Sequence, residues 1–105
     1  MYGVVRKYSI APGTQGEAVN RTENKYIDLI SAAPGFVAFH IIHEGDVGMT
    51  ITIFRSQAEL EAAQHLAPAF VREHLSDLTE GPSEVIQGPV AISKIGSDPY
   101  YRANY

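Results

Sequence analysis

FVAFHIIHEGDVGMTITIF, the stretch from Phe36 to Phe54, decides the fold. Two runs rich in β-branched and aromatic residues, Phe36 to His43 and Gly48 to Phe54, flank Glu44-Gly45-Asp46-Val47, and this pattern reads as a β-hairpin. Strict alternation puts Phe36, Ala38 and Ile42 on one face of the first run and Val37, Phe39 and Ile41 on the other. In the second run Met49, Ile51 and Ile53 oppose Thr50, Thr52 and Phe54. A hairpin apolar on both sides requires cover on both sides.

Upstream, Tyr2 to Ile10 is a further strand, with Tyr2, Val4, Arg6, Tyr8 and Ile10 on one face, ended by Ala11-Pro12-Gly13. Thr14 and Glu17 have the spacing of a capping box, and the helix that follows carries Val19, Thr22, Tyr26, Leu29, Ile30 and Ala33 on one face until Pro34-Gly35. Downstream, Ser56 and Glu59 form a second box opening a helix from Ala58 to about Leu66. Pro68 predicts a kink or break there, and a helical stretch continues to about Leu78 before Gly81-Pro82. Glu84 to Ile95 is the last strand, and its Gly88-Pro89 calls for a bulge or an edge position. The order strand, helix, strand, strand, helix, strand specifies an α+β fold: a ferredoxin-like βαββαβ unit with an antiparallel four-stranded sheet. Residues 1–95 make one domain, and 96–105 form a tail with Tyr100, Tyr101 and Tyr105 that packs on its own domain, reaches over a partner subunit, or is disordered. Helices from one chain cover one side of such a sheet, so a second copy packed sheet to sheet, a homodimer, is the simplest cover for the other.

Composition narrows the function classes. The 105 residues carry a net charge of −4 with only eight Lys and Arg, which argues against nucleic acid as a partner. No apolar run approaches a membrane span, and Met1-Tyr2-Gly3-Val4-Val5-Arg6 is not the start of a signal peptide. The chain has no cysteine, which removes disulfides and thiolate chemistry and fits the cytoplasm. His40 and His43 are three apart on a strand and point to opposite faces, so they do not share a metal ion.

His74 stands out. At about 100° per residue it falls within the apolar arc of Phe70, Val71, Leu75 and Leu78. A histidine there is either a core residue bonded to a tyrosine or carbonyl, or a base or ligand facing a pocket between helix and sheet. Arg6 and Tyr8 on the first strand, His40 on the second and Tyr26 on the first helix are its candidate companions in binding a substrate.

The opening strand with Ala11-Pro12-Gly13, the stretch Ala33-Pro34-Gly35-Phe36-Val37-Ala38-Phe39, and Ile53-Phe54-Arg55-Ser56 running into a helix with Glu59 resemble the antibiotic biosynthesis monooxygenase (ABM) family. The resemblance spans roughly residues 2 to 94. It implies a dimeric α/β barrel with a ligand cavity between sheet and helices in each subunit. It also implies a cofactor-independent monooxygenase for a small aromatic, quinol or polyketide-like substrate, with His74 as the catalytic base and no cofactor. A non-catalytic small-molecule-binding or structural homodimer of the same fold is the alternative, and haem binding or degradation through His74 is a third reading. The chain has no tryptophan, which the family's oxygenases commonly use, and it has Arg6 and Lys7 where haem-degrading members carry asparagine.

Overall fold

In the computed structural model, which describes residues 1–97 and 99–101, the hairpin forms as its alternation dictates. Strands β2 (Phe36–Glu44) and β3 (Val47–Phe54) pair antiparallel, β1 (Tyr2–Ser9) lies against β3, and β4 (Pro82–Pro89) lies against β1. The sheet order β2-β3-β1-β4 is that of a ferredoxin-like α+β fold. Strand β4 is an edge, which accommodates its two prolines, and it ends at Pro89 and not at Ile95.

All helices pack on one face. Helix α1 (Gln15–Lys25) passes through a break at Tyr26 into the short α2 (Ile27–Ser31). Thr14 does not cap α1 as its spacing suggests: its hydroxyl donates to the Ala11 carbonyl at 2.6 Å, and Glu17 pairs instead with Arg21. Ser56 does cap its helix, although the Glu59 carboxylate meets the Ser56 hydroxyl and not its backbone N–H. Glu59 donates its backbone N–H to the Ser56 hydroxyl at 3.2 Å, and that hydroxyl donates to the Glu59 carboxylate at 3.0 Å, opening α3 (Gln57–Ala63). Helix α4 (Leu66–Phe70) follows a break at Gln64 and His65, which leaves Pro68 within a first turn where its missing N–H costs little. The chain then widens into a π-helical turn, Val71–Leu75.

Val4, Tyr26, Ile30, Phe54, Leu60, Ala63, Ala67 and Phe70 form the core between sheet and helices, with Phe36 packed against it. The register explains Phe36. A bulge between Phe36 and Ala38 makes Val37 the extra residue, so Phe36 pairs with Phe54 on the helix side and does not share the face of Ala38 and Ile42. Leu29, expected on the inner face, is exposed, because the break at Tyr26 turns α2 relative to α1.

The opposite face of the sheet carries Val5, Met49, Ile51, Ile53, Ile42 and Ile86 by register, with no helix over it. Ile42 is 56% exposed and Ile86 61%. Beyond β4, Ile92 and Ile95 are exposed, and the Tyr100 hydroxyl donates to the Glu23 carboxylate of α1 at 2.7 Å. Tyr105 lies outside the described residues. Among the described residues no helix is long and apolar enough to cross a membrane.

Candidate functional site

Pairing in register brings one row of side chains under the helices. Arg6 and Tyr8 of β1 face Thr50 and Gly48 of β3, and these in turn face Ile41 and His43 of β2. Above them lie Thr22 of α1 and Tyr26 at the α1–α2 junction, and Phe70, Val71 and Leu75 from α4 and the π turn. Together they enclose a cavity of about 60 Å³ that opens to solvent. Its walls are mainly apolar, and its polar groups are few and converge, as in small-molecule sites generally.

Each polar group has a distinct electrostatic setting. Tyr26 is 4% exposed, and burial pushes its phenol up to about 12, with the Arg6 guanidinium pulling the other way and Tyr8 adding to the rise. Burial raises the Tyr8 phenol as well, again opposed by Arg6. Both phenols therefore stay protonated near neutral pH, and neither is hydrogen-bonded among the described residues. An edge contact with Phe39 and a tilted contact with Phe70, centroids at 5.5 and 5.0 Å, hold the Tyr26 ring in place. Burial lowers the His43 pKa, so its imidazole is neutral and basic at pH 7. The His43 ring lies over Gly48, where the absence of a side chain leaves it room.

The structure thus brings together Arg6, Tyr8 and Tyr26, and it leaves two expected members out. His40 pairs with Ile51 on the helix-free face and is exposed, on the far side of the sheet from the cavity. His74 does not line the cavity. It packs its ring on Phe70 at 5.3 Å and approaches the Glu73 carboxylate at 3.7 Å, in a polar surface groove beside α1. The π turn is the cause. With i→i+5 closure each residue turns through a smaller angle, so Leu75 takes the inward place that an α-helix would give residue 74. Arg21 fixes this arrangement by donating to the His74 carbonyl at 2.9 Å and to Asp77 at 2.7 Å. A haem ligand or base at His74 is consequently not aimed at the cavity.

His43 is the histidine that reaches the site. The signal was present in the sequence, since His43 has the parity of Phe39 and Ile41, the residues that face Thr52 and Thr50 beneath the helices. Among the described residues no cluster of three His, Cys, Asp or Glu could hold a metal ion.

No family model matches the chain, and no curated protein matches it by sequence. Solved structures do match. A Chloroflexus aurantiacus protein described as an antibiotic biosynthesis monooxygenase is 18% identical over 90% of this chain and 98% of its own, with a TM-score of 0.65. A Streptomyces coelicolor monooxygenase in complex with nanaomycin D is 20% identical over 91% of this chain and 92% of its own, at 0.70. A cofactor-independent oxygenase from Streptomyces nogalater is 15% identical over 88% and 94%, at 0.68. The fold of this chain is of the ABM type.

Proposed function

We propose that the protein is a cofactor-independent monooxygenase acting on a small aromatic, quinol or polyketide-like substrate, with His43 as the proton acceptor. One observation carries this reading: a neutral imidazole, two idle phenol donors and a guanidinium converge on a single apolar cavity. The likeness to a cofactor-independent oxygenase supports it at the level of fold.

The chemistry fits these groups. His43 removes an acidic proton from a ring CH2 or hydroxyl, and the electron-rich anion passes an electron to molecular oxygen. For a ring CH2, both hydrogens leave, one oxygen atom enters as a carbonyl and the other departs as water, so O2 supplies both the atom and the oxidising power. Tyr8 and Tyr26 donate to the oxygen on which negative charge develops. Phe39, Ile41 and Phe70 exclude water from the anion. A homodimer completes the assembly, with the apolar face of Val5, Ile51 and Ile53 covered by the same face of a second copy.

Oxygen uptake tests the reading. Wild type should consume O2 with phenolic or polyketide-like CH2 substrates, unaffected by chelators. His43→Gln should lose about 10²–10⁴-fold in rate, whereas His74→Gln should keep it. Saturable binding without oxygen uptake would favour the non-catalytic binding protein, and equal rates in His43→Gln would remove His43 from the mechanism.

A further inference from the structure

Arg6 is the anomaly of the cavity. It projects from the middle of β1 towards the helices, between Val4 and Tyr8, and lines both the main cavity and a small inner void beside Thr52. No Asp or Glu lines either space. Among the described residues no carboxylate pairs with Arg6, whereas Arg21 at the surface is bonded to both Glu17 and Asp77. Its strand neighbour Lys7 points to the other side of the sheet. The chain as a whole carries a net charge of −4, yet its cavity holds a lone positive charge.

An unpaired guanidinium facing low-dielectric walls is costly unless something satisfies it. Three further polar groups at the same place are idle. Tyr8 and Tyr26 line the same cavity as Arg6, and burial keeps both phenols protonated as O–H donors at neutral pH. Thr52, 2% exposed, has a hydroxyl with no partner, and it borders the inner void that Arg6 and Tyr26 also border. A cation and two phenol O–H donors, with no carboxylate among them, make a binding site for a negatively charged oxygen.

We propose that the cavity recognises an oxyanion: its ligand presents an ionised oxygen on a small aromatic body to Arg6, between the hydroxyls of Tyr8 and Tyr26. This inference rests on the reading of the cavity as the ligand site and adds the charge of the ligand to it. The anion is a phenolate or enolate, as a substrate activated for reaction with oxygen would present, or a carboxylate carried beside the ring. Arginine suits the task, because its planar fork grips two acceptor lone pairs and it stays charged.

Three probes test the inference by binding alone, independently of turnover. Naphthoate and its neutral isostere naphthalenemethanol are titrated by calorimetry into wild type, Arg6→Met and Arg6→Lys. Para-nitrophenol, whose anion is yellow, reports its own ionisation when bound. Wild type should prefer naphthoate over the alcohol by about tenfold or more, or should ionise bound nitrophenol at least about one pH unit lower than in solution. Arg6→Met should abolish both effects while keeping affinity for the alcohol, and Arg6→Lys should retain part of them. A naphthoate preference alone identifies a carboxylate, and a nitrophenol shift alone identifies a phenolate or enolate. Equal binding of acid and alcohol with no nitrophenol shift in wild type would overturn the inference, as would either effect persisting in Arg6→Met. If Arg6→Met fails to fold, the wild-type comparison still decides. Oxygen uptake separates the two readings: anion preference without uptake leaves this inference standing and removes the enzyme, and uptake without anion preference does the reverse.

Discussion

Replacing Gly48 by alanine should damage both the fold and the site. Gly48 pairs with Tyr8 on one side and His43 on the other, and a Cβ there would point under the helices. It would stand 2.6 Å from Ile10 Cδ1, 3.1 Å from His43 Cδ2 and 3.2 Å from His43 Nε2. Carbon atoms rest at about 3.5–4.0 Å, so the Ile10 methyl must retreat by about 1 Å and the imidazole by a few tenths. Ile10 is buried and has little room to yield. Overpacking of this kind costs about 1–3 kcal/mol, and removing a glycine from a strand returns about 0.5–1 kcal/mol. The net loss is about 0–2.5 kcal/mol, centred near about 1 kcal/mol, at roughly 4–8 °C in Tm per kcal/mol for a domain of this size. Gly88→Ala is the control, because a Cβ there meets nothing within 4 Å; it should be neutral or stabilising by up to about 1 kcal/mol. Urea unfolding at constant m measures both. A Gly48→Ala protein as stable as wild type, with the His43 ring resonances where they were, would refute overpacking at this position.

Other expectations follow from the same geometry. Gly35 has φ +82° and a Cβ there would collide with the Glu59 carboxyl group; Gly35→Ala should lose at least about 1–2 kcal/mol from the left-handed backbone alone, and a loss under half that in urea would contradict it. Ser56→Ala should cost about 1 kcal/mol through the cap, whereas Thr14→Ala should not behave as a cap deletion, since Thr14 makes no such bond; peptide-amide exchange at the two helix starts distinguishes them. Burial lowers the folded-state pKa of His43, so the unfolded chain binds more protons once pH drops below about 6.5. Stability should therefore fall from about pH 6.5 down to the lowered folded value, and His43→Gln should flatten that slope in pH-resolved urea titrations; an unchanged slope would assign the effect elsewhere. Ile42→Asp and Ile86→Asp place charge on exposed apolar positions of the helix-free face. They should shift a sheet-to-sheet dimer to monomer in sedimentation with circular dichroism unaltered, and a persistent dimer would move the interface elsewhere.

Alternation along the strands made most of this fold legible. The hairpin at Phe36 to Phe54, the inward row of Arg6 and Tyr8, and the cap at Ser56 all follow from residue types at local spacing. Tyr26 was legible because α1 keeps its period up to that residue. Three misplacements share one physical origin, a departure from regular period that shifts a face, whereas His40 keeps the regular alternation that places it with Ala38 and Ile42 away from the helices. The π turn at Val71–Leu75 carries His74 out of the cavity, the bulge at Val37 moves Phe36 to the core side, and the break at Tyr26 exposes Leu29. A regular helical or strand period cannot anticipate such shifts, which depend on tertiary bonds such as Arg21 to the His74 carbonyl. The missing companion, His43, was legible by its parity with Phe39 and Ile41, but its value as a site residue comes from Gly48 and Tyr8 on neighbouring strands.

The most direct measurement is an NMR titration of the four imidazoles with naphthoate or a phenolic ligand. His43 alone should move strongly and change its pKa as the cavity fills, with His40, His65 and His74 unmoved. A saturable shift at His74 with His43 silent would contradict this and return the site to the outer groove beside α1.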